Sequence, residues 1–176
     1  MKALTICQPY AHLIVRGEKL VENREWPTAY RGPLLIHAGK SRNWMDEHEE
    51  YEWRAVGDPI VFGAIVGTAM LTDCLQIGHI KRGDYDAKYP WLRGHAHTNG
   101  TWCWVLTEVC RLKYPAIWRG AQGLWNCEIT AEALELCEPG SATEAPPLSE
   151  GGQVSEVSAA APDAVVGVQQ PAKGEQ

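Results

Sequence analysis

The sequence predicts an α+β fold: a small mixed β-barrel with two or three flanking helices, followed by a disordered C-terminal tail. Three observations carry this expectation. Short apolar runs recur along residues 1–137, with two helical stretches between them. The composition changes at Glu138, after which Pro, Gly, Ser, Ala and Glu dominate and no aromatic residue occurs. Such a segment cannot bury enough apolar surface to offset the entropy of ordering it. The chain has 176 residues, 45% of them apolar, which is enough for one domain of ordinary size. The expected organisation is a folded domain over 1–137 and a tail over 138–176.

Taken in order, Lys2 to Cys7 reads as a first strand. Pro9 to Arg16 reads as a helix, because Pro suits a first turn and Gly17 suits the position just past the end. Leu20 to Trp26 reads as a second strand, which would put Leu20, Glu22, Arg24 and Trp26 on one face. Pro27 to Arg31 is a loop, and Pro33 to Ala38 a buried third strand. Ser41 is a candidate N-cap for a second helix, in which Trp44, His48, Tyr51 and Ala55 recur at helical spacing and face the core. Ile60 to Leu75 is a long β-branched strand with Gly63 and Gly67 as bend points. Gln76 to Gly100 is polar and rich in Gly, His and aromatics, and reads as a functional loop or a cover over a cleft. Thr101 to Leu112 is a further strand, Trp118 to Trp125 a loop, and Asn126 to Thr130 a closing strand.

The net charge of −6 is unevenly spread. Residues 1–44 carry seven Lys/Arg against three acids, a surplus of +4. Residues 45–58 and 138–176 carry −5 each. The acidity of the whole chain therefore says little about the N-terminal segment, whose local surplus is compatible with a phosphate-bearing partner. Six cysteines stand at 7, 74, 103, 110, 127 and 137 without a C-x-x-C pair, so buried reduced thiols are expected. No signal peptide opens the chain and no apolar stretch approaches a membrane span, which points to a cytoplasmic protein that does not enter membranes. His95 and His97 with Cys103, and Cys74 with His79, lack a complete four-ligand spacing, so no metal and no other cofactor is expected. P-loop, dinucleotide-binding and G-x-S-x-G signatures are missing too.

The richest stretch is Gly17-Glu18-Lys19-Leu20-Val21-Glu22-Asn23-Arg24, a G-x-K-x-x-E-x-R pattern. A carboxylate and a guanidinium two residues apart on a strand can pair, and the guanidinium fork suits a phosphate or a base edge. A ligand site at Lys19, Glu22 and Arg24 stands beside the alternative of an ion pair that pins the barrel. Gln8, Tyr10, Trp26, Gln122 and Trp125 are candidates to read or stack on a base, or else to close the barrel end. Tyr30, Arg31, Lys40 and Arg42 form a basic and aromatic flank that can meet a phosphate backbone, or remain a solvated surface. His37 either lines the cleft or is a barrel histidine.

These motifs occur in a telling order. Lys2-Ala-Leu-Thr-Ile-Cys-Gln8-Pro9-Tyr10 precedes the G-x-K-x-x-E-x-R stretch. Arg24-Glu25-Trp26-Pro27, then Tyr30-Arg31-Gly32-Pro33-Leu34-Leu35-Ile36-His37-Ala38, and finally Gln122-Gly123-Leu124-Trp125 come after it. Over roughly Met1 to Ile129 this order resembles the ASCH domain (activating signal cointegrator homology) of the PUA-like superfamily. The resemblance implies a PUA-like barrel and a nucleic-acid-binding module, RNA before DNA, that reads a nucleotide in its cleft. The alternative it implies is a small enzyme acting on modified nucleosides or RNA, amidohydrolase- or ribonuclease-like, with Lys19 and Glu22 as catalytic groups. Some PUA-like proteins hydrolyse an N-acylated cytidine with a motif lysine and a threonine three residues on. Lys19 matches that lysine, but Glu22 stands where the threonine would be. A third class, an interaction protein recruiting partners through its acidic tail, stays open.

Overall fold

The computed structural model describes residues 1–47, 59–129 and 137–139. Its strands are β1 (Lys2–Ile6), β2 (Val21–Arg24), β3 (Gly32–Ala38), β4 (Ala64–Gln76), β5 (Trp102–Ile117), β6 (Leu124–Asn126) and β7 (Cys137–Pro139). Its helices are α1 (Tyr10–Val15), α2 (Asn43–Glu47) and α3 (Ile77–Arg82), with a 3-10 turn at Leu92–Gly94. The strands form one mixed sheet in the order β2-β5-β4-β3-β1-β6, with β7 added on β5. Only β1 and β3 among these pair in parallel. The sheet curls into a half-barrel with few helices, an α+β fold.

Period-two alternation explains how the sheet holds itself together. Leu4, Leu34, Ile36 and Val66 point to one side and pack with Ala11, Ile14 and Val15 of α1. Ala3, Leu35 and Ile65 point to the other side and pack with Leu112 and Cys127. Because both faces are covered, these strands read as continuous apolar runs rather than alternating ones. Helix α1 has five buried residues out of six and packs against one face of the sheet. It approaches the sheet tightly at Gly67. A Cβ there would run into the Cys110 carbonyl and stand 2.6 Å from Val15 Cγ1, so the glycine marks helix contact as well as the register shift of β4.

The turn after α1 sets the course of the next strand. Gly17 takes φ 77°, a conformation glycine adopts without strain. The amides of Glu18 and Lys19 both donate to the Leu13 carbonyl, at 3.0 and 3.1 Å. The chain then enters β2, which runs antiparallel to the start of β5 with Glu22 opposite Trp104 and Arg24 opposite Trp102.

Several expected elements shift. The second strand stops at Arg24, and the closing strand is Leu124–Asn126 rather than Asn126–Thr130, set by pairing with Lys2–Leu4. The stretch 76–100 is more structured than a loop. Ile77 and Ile80 supply an apolar helix face, Gly83 ends that helix at φ 85°, and Ile80, Tyr89 and Leu92 pack onto Val21, Leu75 and Val105. Ser41 does serve α2, its Oγ accepting the Asn43 amide at 3.3 Å. His48, Tyr51 and Ala55 lie outside the described residues. Cys7, Cys74, Cys103 and Cys127 are free thiols, whereas Cys110 is disulfide-bonded, which corrects the expectation of reduced thiols at that position.

Residues Met1–Ala145 form one compact unit, and strand β7 straddles the expected domain boundary at 137/138. The tail expected to be disordered lies, beyond Pro139, outside the described residues. Among the described residues no helix is long and apolar enough to cross a membrane.

Candidate functional site

A cleft of about 270 Å³ opens between the turn after β1, the start of α1, strand β2 and the segment before β5. Cys7, Tyr10, Lys19, Glu22, Asn23, Arg24, His97 and Asn99 line it. Its floor is an ion triad. Lys19 is only 2% exposed, and its ammonium donates to Glu22 Oε2 at 2.7 Å and to the Val21 carbonyl at 2.5 Å. The other oxygen of Glu22, Oε1, meets Arg24 Nη2 at 3.0 Å. The same Nη2 donates to the Thr5 carbonyl at 2.9 Å, and Arg24 Nε is buried with no partner among the described residues. Two cations share one carboxylate, which leaves a single positive charge at the floor, partly sheltered from water and hence worth more than on the open surface.

Rings form the walls. The Lys19 ammonium lies 5.4 Å from the centroid of Tyr10, whose ring also meets Trp44 at 4.9 Å and His97 at 6.2 Å. His97 is held through its backbone: Asn23 Nδ2 donates to its carbonyl at 2.9 Å, and its amide donates to His95 Nδ1 at 3.1 Å. Burial, with the nearby His97 and Lys19, pushes the His95 imidazole down to about 4. Burial and then Lys19 lower His97 in the same way. Both rings are therefore neutral near pH 7 and add no charge to the cleft. Cys7 reaches solvent, yet the dense wall around it and the charge of Glu22 raise its thiol.

Of the residues singled out from sequence, Tyr10, Lys19, Glu22 and Arg24 meet in this cleft. The others lie elsewhere. Gln8 is buried and spends its amide on the backbone, donating to the Val61 carbonyl at 2.6 Å and accepting the His12 amide at 3.0 Å. Trp26 packs edge-to-face on Trp104 at 4.7 Å. Arg31 donates to the carbonyls of Thr28 and Tyr30 and pairs with Asp73. The stem of Lys40 runs against Gly63. Gln122 is exposed ahead of β6. Trp125 donates from Nε1 to Thr5 Oγ1 at 3.2 Å and meets His37 at 5.7 Å. His37 itself contacts the Trp118 carbonyl at 3.0 Å, outside the cleft lining, and its buried Nδ1 has no partner among the described residues.

Cys7, Asn23, His97 and Asn99 were not singled out for this site. The reading of 76–100 as a cleft cover held the available signal, since His97 and Asn99 come from it. Among the described residues no group of three His, Cys, Asp or Glu could hold a metal ion.

The family model for the ASCH domain matches residues 4–116, which include every residue lining the cleft. Activating signal cointegrator 1 from Homo sapiens is 37% identical over 82 residues, and the protein of that name from Mus musculus 38%. The match covers 42% of this chain but only 14% of either relative, so the chain spans a small part of their length. A crystal structure of ASCH from Zymomonas mobilis aligns with 77% of this chain and 91% of its own, at 13% identity and a TM-score of 0.42. A crystal structure of a point mutant of that Zymomonas mobilis protein aligns with 78% and 96%, at 14% identity and a TM-score of 0.44.

Proposed function

The chain belongs to the ASCH domain family, and from that premise we propose that it is a nucleic-acid-binding module, with RNA as the partner, that seats one nucleotide in the cleft. The carrying observation is the Lys19–Glu22–Arg24 triad at the base of a cleft of about 270 Å³ with ring walls. That volume is close to the lower limit for small-ligand pockets, near about 300 Å³. One surplus positive charge suits one phosphate or one electron-rich base edge. Tyr10 and His97 offer π faces to a planar group. The free thiols Cys7, Cys74, Cys103 and Cys127 support a reducing, cytoplasmic setting, and the bonded Cys110 weighs against it.

The test is a titration of the full chain with short single-stranded RNA at a series of salt concentrations, with mononucleotides as competitors. Binding that weakens linearly in log salt, and competition by a mononucleotide, are expected. No binding at low salt refutes the proposal. Salt-dependent binding that no mononucleotide competes moves the interface away from the cleft.

A second reading rests on the 2.7 Å contact between the Lys19 ammonium and Glu22. A buried ammonium beside a carboxylate can polarise a carbonyl and steer a proton, which suits hydrolysis of an N-acylated nucleoside. Incubation with N-acylated cytidine and assay for free cytidine separates this reading from binding alone.

A further inference from the structure

Within the cleft, most polar side chains are already committed. Both oxygens of Glu22 contact cations, and two of the three Lys19 donors are used. The Asn23 amide donates to the His97 carbonyl, and its oxygen faces the Cys103 thiol at 3.5 Å. Asn99 differs. Its side chain is exposed at the mouth, and its carboxamide has no hydrogen-bond partner among the described residues.

The backbone that carries Asn99 is fixed. Its carbonyl faces the Cys103 thiol at 3.4 Å. Gly100 comes next at φ 74°, and a Cβ there would touch Asn23 at 3.5 Å. Thr101 Oγ1 donates to Glu25 Oε2 at 2.7 Å, and the Thr101 carbonyl accepts the Ile77 amide at 3.0 Å. An uncommitted carboxamide on an anchored segment is how a site presents a reading group at little ordering cost.

We propose that Asn99 is the residue of the cleft that selects the base. This rests on the reading of the cleft as a nucleotide site. Lys19 and Arg24 supply positive charge, which the phosphate of any nucleotide can satisfy. Discrimination needs a group with a donor and an acceptor side by side, and the carboxamide has both. Such a group matches the edge of a base, where cytosine presents an amino donor and uracil a carbonyl acceptor at the corresponding position.

Asn99→Asp removes the donor and leaves acceptors only, whereas Asn99→Ala removes both. Full-length wild type and both variants are titrated with short oligocytidine and oligouridine RNA by fluorescence anisotropy, with a melting temperature for each. The added charge of the Asp variant acts on both oligomers alike and cancels in the ratio of their affinities. The expected result is a shift of that ratio toward cytidine in Asn99→Asp, roughly five- to tenfold for one changed hydrogen bond. In Asn99→Ala the wild-type preference collapses toward parity. Melting temperatures stay unchanged, because the side chain makes no hydrogen bond in the fold. A ratio equal to the wild type's in Asn99→Asp overturns the role of Asn99, whether or not overall affinity falls. Wild type that binds neither oligomer overturns the nucleotide reading itself and this inference with it.

Discussion

Glu22 spends both oxygens on cations, and this decides what each floor residue is for. Its neighbour Lys19 is almost wholly buried, so removing the carboxylate strands its charge without the nearest counter-ion. Glu22→Ala is expected to cost about 3–5 kcal/mol, read as a lower denaturant midpoint. A midpoint within experimental error of wild type would mean that Lys19 finds another partner and that the triad is incidental. The Glu22–Arg24 pairing was legible in the sequence, because residues two apart on a strand share a face. The third member was not legible in the same way. Lys19 lies ahead of β2 and reaches Glu22 only because the Gly17 turn and the shared Leu13 carbonyl carry it there. Gln8, Trp26 and Trp125 lie outside the lining of this cleft, and their contacts with the Val61 carbonyl, Trp104 and Thr5 depend on pairings far away in the chain.

At the scale of elements, the segment before β5 and the start of helix α1 both line the cleft. His95 accepts the His97 amide and is held at about 4, below its ordinary range. The folded state thus favours the neutral ring, while the unfolded chain takes up a proton near about pH 6.5. Stability from this group is fully present above about pH 6.5 and is lost as pH falls toward 4. A melting temperature that declines over this window in wild type, and declines less in His95→Phe, is the expected outcome. Parallel declines in the two proteins would assign the effect to other groups, of which His37 and His97 share the sign. Under α1, Gly67→Ala drives a Cβ into a backbone carbonyl that cannot swing aside. Its expected cost is about 3 kcal/mol in thermal or denaturant unfolding, at the upper end for an overpacked core. A cost under about 1 kcal/mol would mean that the helix rests more loosely on β4 than its contacts indicate. The sequence suggested a bend at Gly67, since a glycine in a strand marks either a bulge or a close approach. That α1 is the approaching element is a consequence of the curl of the sheet, which no local pattern reveals.

For the whole molecule, the half-barrel places the N-terminal motif, the strand after it and the cover of residues 95–99 around one small volume, although they are dispersed in the chain. Strand β7 extends the sheet past the boundary read from composition, because Glu138 pairs opposite Arg111 and Pro139 opposite Cys110. Truncation after Pro139 is expected to leave the melting temperature unchanged, while truncation after Leu136 lowers it by removing that strand. Equal melting temperatures for the two truncations would show that β7 adds nothing to the fold. The net charge of −6 repels polyanions at long range, so the proposed RNA binding rests on the local charge of the cleft rather than on the surface as a whole. Arg24 concentrates that dependence. Arg24→Lys keeps the charge and loses the fork, along with the geometry that reaches both Glu22 and the Thr5 carbonyl. The most direct measurement is the affinity of Arg24→Lys for single-stranded RNA, set beside its denaturant midpoint. The nucleotide cleft predicts a loss of about 1–3 kcal/mol in binding with a smaller change in stability. Unchanged binding with a marked drop in the midpoint would contradict it and leave the triad as a clamp of the fold alone.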